Sequence, residues 1–206
     1  SNRGACGIAA GEGGGGAGAT RLGVAVECNI ATMDKDAILG NKTSVTADGF
    51  TAEAVMKDVG GDKTHTFAAK ATSGSSGGDT GIAGSFALNY ADTTTEAVLP
   101  GTASINAGTG DVVLTAQNTS TSTVEAKASA DSAKTGVGVS IVLTHEPHNP
   151  KRAVIADGAS PLGAPAVDVH ATDRPHSTTT CDGGPTASRL HRCGFPLVTS
   201  CGTHLA

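Results

Sequence analysis

The sequence predicts an all-β fold, a parallel β-solenoid with irregular or disordered ends, and a threefold internal repeat is its main support. Three similar apolar runs each begin at a glycine: Gly23, Gly81 and Gly136. A short apolar anchor follows each run, and the anchors begin at Ala37, Ala97 and Ala153. The two steps between these anchors are nearly equal, and self-similarity at a near-fixed period is typical of stacked repeat architectures.

Composition supports the same fold class. The chain of 206 residues has 4 Phe, 1 Tyr and no Trp, but 29 Gly. Aromatic side chains normally supply much of the buried area of a globular core, whereas small branched side chains suit the thin core of a solenoid coil. Glycine serves tight turns and is poor in helix interiors. We therefore expect strands and turns, and almost no helix.

The chain divides into three expected segments. Residues 1–18 are expected to be a Gly-rich linker or a disordered end, because such a segment loses much backbone entropy on ordering. Residues 19–160 are the expected solenoid body, with about three coils of ~20 residues within each long unit. Its strand candidates are Leu22–Ile30, Ile82–Tyr90, Asp111–Ala116, Thr119–Asp131 and Val137–Leu143.

The clearest strand candidate is Thr119–Asp131. Its apolar residues Val124 and Ala126 alternate with the charged residues Glu125 and Lys127, the period-2 pattern of a half-buried strand. By the same logic, the larger apolar side chains should form most of the core: Val24, Val26, Ile38, Leu39, Val98, Leu99, Val112, Leu114, Val124, Val139, Ile141 and Leu143.

Residues 161–206 are expected to form a disordered tail. Most of the Pro, His and Cys residues lie after residue 144, and proline removes donors from a strand ladder, so this tail is not expected to continue a central β-stack. A shift of reading frame would explain the change of composition, as would a genuine disordered tail.

Charge and cysteine content exclude several classes of function. The net charge is −5 and no basic stripe is present, so nucleic acid is an unexpected partner. No apolar run reaches the ~18 residues of a membrane helix. The best-patterned part of the chain lacks cysteine, so it is not a disulfide scaffold. Since the chain starts at Ser1 without a signal peptide, we interpret it as part of a longer protein.

The segment Ala103–Leu143, which reads ASINAGTGDVVLTAQNTSTSTVEAKASADSAKTGVGVSIVL, resembles the repeat region of very large bacterial surface proteins. These are the filamentous-haemagglutinin-like and autotransporter-like adhesins. The likeness extends over about Ala19–Ala159. It implies a parallel β-solenoid, secretion to the cell surface and a role in adhesion. It implies no catalytic residue and no cofactor, and it implies partners among cell-surface receptors, glycans and neighbouring repeats.

Other motifs indicate no catalyst. Gly11–Gly16 satisfies G-x-G-x-x-G, but a strand pattern follows where a dinucleotide site needs a helix. No G-x-S-x-G elbow is present, and His65 is the one imidazole of residues 20–144. Four soft ligands in the tail would suit zinc, but their segment has no recognisable fold, so we expect no metal site there: His191, Cys193, Cys201 and His204.

Two threonine rows are the remaining candidate site. A regular hydroxyl array on a solenoid could bind glycan or ice, but threonine also simply suits exposed strand positions. The candidate surface residues are Thr93, Thr94, Thr95, Thr119, Thr121 and Thr123.

Overall fold

In the computed structural model, the chain is all-β, and its described residues form three sheets whose strands are parallel in all but one pairing. The structure describes residues 5–10, 18–131, 134–146, 150–186 and 190–199, and describes side chains for those between 18 and 184. Sheet A contains β1 (Ala5–Ala10), β2 (Thr20–Ile38), β6 (Thr80–Leu99), β9 (Thr135–His145), β10 (Lys151–Ile155) and β13 (Leu190–Thr199). Sheet B contains β3 (Ser44–Thr46), β7 (Ser104–Asn106) and β11 (Ser160–Leu162). Sheet C contains β4 (Phe50–Ala54), β5 (His65–Ser76), β8 (Val112–Asp131) and β12 (Val167–Thr186).

The chain visits the sheets in the repeated order A, B, C, and each visit lays a strand beside the strand of the preceding repeat. The three predicted anchors demonstrate the register, because Ala97 pairs with Ala37 on one side and with Ala153 on the other. The glycines that begin the three apolar runs are not all in register. Gly81 pairs with Gly136, but Gly23 pairs with Ala83, two residues after Gly81. Five predicted strands lie within β2, β6, β8 and β9, apart from Asp111, which precedes β8.

Each strand pairs with its equivalent in the next repeat, as Thr80 of β6 does with Thr20 of β2 and with Thr135 of β9. One passage through all three sheets therefore takes a whole repeat, and the expected division of each unit into about three short coils is wrong. The long strands explain the length: β6 and β8 have 20 residues each, or roughly 65 Å at ~3.3 Å per residue. Between β4 and β5 the chain leaves the sheet and forms a small bridge between Val59 and Asp62.

Sheets A and C pack face to face through small side chains. Ala87 and Val142 of sheet A lie against Val124 and Ala126 of sheet C. The two backbones approach so closely that a Cβ added to Gly23 would lie 1.8 Å from the carbonyl oxygen of Gly74. Larger apolar side chains gather where sheet B joins the other two, in the cluster of Leu99, Ile105, Val112 and Leu114.

The predicted core was therefore correct for some residues and wrong for others. Leu99, Val112, Leu114 and Val124 are fully buried, and β8 has the predicted inner and outer faces. In β2, β6 and β9 the small residues point inward, so the larger apolar residues lie outside. Val24, Ile38 and Ile141 are exposed, and the other predicted core residues are half-buried: Val26, Leu39, Val98, Val139 and Leu143.

Within the described residues, both ends of the chain form strands, where a linker and a disordered tail were expected. Residues 5–10 form β1, which pairs antiparallel with β2. In the segment 161–206, β12 pairs with β8 along its whole length and β13 pairs with β9. The prolines are tolerated because β12 is the edge strand of sheet C among the described residues. The backbone N–H of Val112 donates to the carbonyl of Ala166. In a parallel ladder this means that every second residue of β12 has its backbone nitrogen directed away from β8, and Pro175 is one of these residues.

Candidate binding surfaces and a buried polar network

The structure divides the two predicted threonine rows between the interior and two different surfaces. Thr93 and Thr95 of β6 point inward and are 2% and 0% exposed. Their neighbour Thr94 is half-buried and points outward from sheet A. The row on β8 points outward from sheet C, with Thr119 and Thr121 half-buried and Thr123 exposed. The two rows therefore do not form one surface.

The outer face of sheet C combines hydroxyls with charges. Thr121 pairs with Thr66 on one side and His176 on the other, while Thr123 pairs with Thr178. Neighbouring strands are ~4.8 Å apart, and successive outward-pointing residues of one strand are about 7 Å apart. The paired residues form a regular array of hydrogen-bonding groups, named here the threonine face.

An ion-pair cluster adjoins the threonine face. Glu125 bonds to Lys127 on its own strand and lies 3.1 Å from Lys70 Nζ on β5. Hydrogen bonds from Lys127 and Lys70 lower the pKa of Glu125, and the bond to Glu125 raises the pKa of Lys127. Exposed pairs of this kind contribute little to stability, but they add fixed charge of both signs beside the hydroxyls.

Between sheets A and C lies a charged network that the sequence analysis missed. Lys35 Nζ on β2 donates to Asn118 Oδ1 on β8 at 2.7 Å, and Asn118 Nδ2 donates to Asp173 Oδ1 on β12 at 3.0 Å. Lys151 Nζ on β10 lies 3.6 Å from Asp173 Oδ2 and donates to the Thr93 hydroxyl at 3.1 Å. The Lys151 side chain is only 6% exposed. The amide of Asn118 thus joins Lys35 to Asp173, and Asp173 pairs directly with the second cation, Lys151.

Burial shifts the ionisation of this network and of two groups that feel its charges, Glu146 and His65. Burial, and then repulsion by Lys151, lowers the pKa of Lys35 to about 8. Burial also lowers the pKa of Lys151, against the attraction of Asp173. Burial raises the pKa of Glu146, with repulsion by Asp173 adding to it. Burial and then Lys35 lower the pKa of His65 to about 4.

The repeat contained a signal for the network. Lys35 and Lys151 each precede an apolar anchor by two positions, so they occupy equivalent places in the repeat. In the structure both pair with Thr95, which lies between them in the stack. The Thr95 hydroxyl is buried and has no hydrogen-bond partner among the described residues. A search for charged residues at equivalent repeat positions would have found the pair.

A second polar ladder crosses the interior nearby. Asn29 Nδ2 donates to Asn89 Oδ1 at 2.8 Å, and Asn89 Nδ2 donates to Ser122 Oγ of sheet C. Ser85 and Ser140 share a hydrogen bond of 2.9 Å between their hydroxyl oxygens. Such bonds require particular partners, so they favour one register over slipped ones. The interior groups therefore position the strands that carry the outer surfaces.

The zinc candidates are not brought together by anything that the structure describes. His191 and Cys193 belong to β13, and Cys201 and His204 lie outside the described residues, as does the segment Gly11–Gly16. Among the described residues, no three His, Cys, Asp or Glu side chains gather as a potential metal site. The described residues also contain no helix with the length and apolar character needed to cross a membrane.

No family model matches this chain, and neither a curated protein nor a solved structure matches it at a significant level. The resemblance to adhesin repeats therefore remains a hypothesis that depends on the sequence pattern alone.

Proposed function

We propose that this chain is a β-solenoid segment of a secreted bacterial surface adhesin, serving as a stalk or a cell-contact surface and not as a catalyst. The observation that supports it is the register of the repeats, in which Ala37, Ala97 and Ala153 stack as neighbours. When each repeat contacts only the next one, the stack lengthens simply by adding repeats. That property suits a protein that must hold a binding surface away from a cell.

The interior supports a structural role better than a catalytic one. Lys35 has the lowered pKa of a potential base, but its ammonium group is engaged by Asn118 and by the carbonyl of Gln117. Those bonds join sheets A and C. We therefore assign the network to register and stability.

The proposal is tested on the source cells with antibodies against the chain. Labelling of intact cells, together with loss of attachment when the repeat segment alone is deleted, is the expected result. Display of the shortened parent protein on the surface is the control for its export. Labelling that requires permeabilised cells would contradict the surface assignment.

A second candidate is a solenoid module that binds glycan or ice, and the threonine face is the observation that favours it. Threonines lie beside one another on neighbouring strands, as Thr66 and Thr121 do. The ion pairs of Glu125 interrupt the hydroxyl array, so among these two ligands the face favours glycan over ice.

A glycan array probed with the full chain tests this candidate. Binding that is lost in Thr121→Val and Thr123→Val but retained in Thr94→Val, on the outer face of sheet A, would support it. Absence of binding to every glycan would leave the stalk role as the better account.

A further inference from the structure

An amine and an amide meet in the interior between sheets A and C. Lys35 Nζ lies 2.7 Å from Asn118 Oδ1. A carbonyl bond is ~1.23 Å long, so Asn118 Cγ lies about 3–4 Å from the same nitrogen. Reacting atoms in well-oriented sites are about 3–3.5 Å apart. A small rotation of the lysine side chain therefore brings its nitrogen to a position from which an amine can attack the carbonyl carbon.

The other side of the same amide contacts a carboxylate. Asn118 Nδ2 donates to Asp173 Oδ1 at 3.0 Å, within the reach of a group that transfers a proton. Lys151, whose side chain is only 6% exposed, lies 3.6 Å from the other oxygen of Asp173 and helps to hold this carboxylate in place. Asp173 thus contacts the nitrogen that must gain a proton before it can leave the amide.

The environment favours the reactive form of the amine. Burial, and then repulsion by Lys151, lowers the pKa of Lys35 to about 8, so a substantial share of this side chain is a neutral amine at slightly alkaline pH. A lysine becomes a nucleophile when burial removes its charge. Asn118 is itself only 1% exposed, which disfavours attack by water at the same carbon.

Two other polar pairs of the fold lack one of these parts. Asn29 and Asn89 bond amide to amide, without an amine. Lys70 contacts the carboxylate of Glu125 in place of an amide, and the Lys70 side chain is 66% exposed. The amine, the amide and the carboxylate occur together at Lys35, Asn118 and Asp173.

We propose that Lys35 and Asn118 form an intramolecular isopeptide bond, with Asp173 as the group that moves the proton. After the Lys35 ammonium group loses one proton to solvent, Nζ forms a bond with Asn118 Cγ. Asp173 accepts a second proton from Nζ and gives it to Nδ2. The Cγ–Nδ2 bond then breaks and one ammonia leaves, so that Asp173 is again a carboxylate. The hydrogen-bonded pair is the state before this reaction.

The new bond joins two repeats as well as two sheets. Lys35 belongs to β2 of one repeat and Asn118 to β8 of the next, 83 positions later in the chain. The bond closes a covalent loop, so neither denaturant nor a force on the chain ends can fully extend this part of the protein. The inference does not depend on the adhesin role, although such a loop would suit a stalk under tension.

Mass spectrometry of the intact full chain, denatured after incubation at a pH near the pKa of Lys35, tests the proposal. The mass should be lower than that of the sequence by one ammonia. Trypsin should release a branched peptide that joins residues 22–42 to residues 71–127, because the new amide prevents cleavage after Lys35. Fragmentation of this peptide should locate the link at Lys35 and Asn118.

Three variants separate the roles of the residues. Lys35→Arg retains a cation but has no primary amine, so it should keep the full mass of its sequence. Asp173→Asn should slow the loss of ammonia by roughly a hundredfold, with an unchanged circular dichroism spectrum. The matched control Lys127→Arg, on the outer face of sheet C, should lose ammonia as the unaltered chain does.

A folded full chain that keeps the mass of its sequence after prolonged incubation would overturn the proposal. So would a link at another lysine, or a loss of ammonia that persists in Lys35→Arg. An Asp173→Asn chain that reacts as fast as the unaltered one would overturn the role of Asp173.

Discussion

Lys35 donates a hydrogen bond of 2.7 Å to Asn118, although the two residues are far apart in the chain and belong to different sheets. The bond crosses the interior from β2 to β8 and continues from Asn118 to Asp173. Because buried charges are costly unless every member of the network has a partner, this one amide stabilises both a cation and an anion.

The network predicts the effect of removing that amide. Asn118→Leu should lower the free energy of unfolding by about 1–3 kcal/mol, because the partly buried side chains of Lys35 and Asp173 would each lose a hydrogen-bond partner. Denaturant unfolding measures the change. The control is Gln117→Leu, whose side chain points outward, and which should change stability by less than about 0.5 kcal/mol. Equal losses in both variants would show that the network does not stabilise the fold.

Acid should destabilise the protein through His65. Its pKa falls from 6.5 to about 4 in the folded chain, so between these values the unfolded chain binds a proton that the folded chain does not. Stability therefore decreases as the pH falls from about 6.5 to about 4. In His65→Gln this part of the pH dependence should disappear, as measured by urea midpoints across pH 4–7. Parallel curves for the two proteins would show that the half-buried His65 imidazole does not remain neutral down to about pH 4.

The close approach of sheets A and C predicts that alanine substitution will affect stability differently at two glycines of sheet A. Gly23→Ala should destabilise the fold by roughly 1–3 kcal/mol, the usual cost of overpacking, because its Cβ would meet the Gly74 carbonyl. At Gly84, which points outward, an added Cβ meets nothing within 4 Å, so Gly84→Ala should be nearly neutral. Thermal unfolding of both variants checks this, and a neutral Gly23→Ala would mean that the sheets lie farther apart.

Burial predicts different costs for two residues that the sequence placed in the core. Leu114→Ala should lower the free energy of unfolding by about 3–5 kcal/mol, because Leu114 is 0% exposed. Ile38→Ala should lower the free energy of unfolding by less than about 1 kcal/mol, because Ile38 is 55% exposed on the outer face of sheet A. Denaturant midpoints compare the two. A larger loss at Ile38 would restore the inward orientation that the sequence pattern favoured.

The all-β class could be predicted because period-2 alternation and a long, nearly regular repeat are visible in the amino-acid sequence itself. The sequence predicted the buried face of β8 but not those of β2, β6 and β9. The usual assumption that larger apolar side chains lie inside fails in β6, where Ala87 and Asn89 are buried and Phe86 and Leu88 lie outside. Small side chains fill most of the gap between sheets A and C, although Phe67 of sheet C packs against Ala31 and Ala91 of sheet A. No local sequence pattern shows how wide that gap is.

The candidate surfaces were predictable only in part. The outward row of Thr121 and Thr123 follows from the alternation in β8, but alternation alone could not show that Thr93 and Thr95 face inward. The continuation into β12 was missed because Pro175 was judged by residue type. A proline disrupts a sheet only where its backbone nitrogen would have donated to a neighbouring strand. The nitrogen of Pro175 faces away from β8, at the edge of the sheet, and the residue type alone does not show this.

The stacking of one repeat on the next is the central claim, and a cysteine pair tests it most directly. Thr72 of β5 and Lys127 of β8 are exposed neighbours in the register, so their Cα atoms should lie ~5 Å apart, within the range of a disulfide. In a chain without its native cysteines, Thr72→Cys with Lys127→Cys should form an intramolecular disulfide in nearly all molecules under mild oxidation. The pair Thr72→Cys with Asp92→Cys, which the short coils expected from the sequence would bring together, should not. A disulfide in the second pair and none in the first would contradict the stacking of whole repeats.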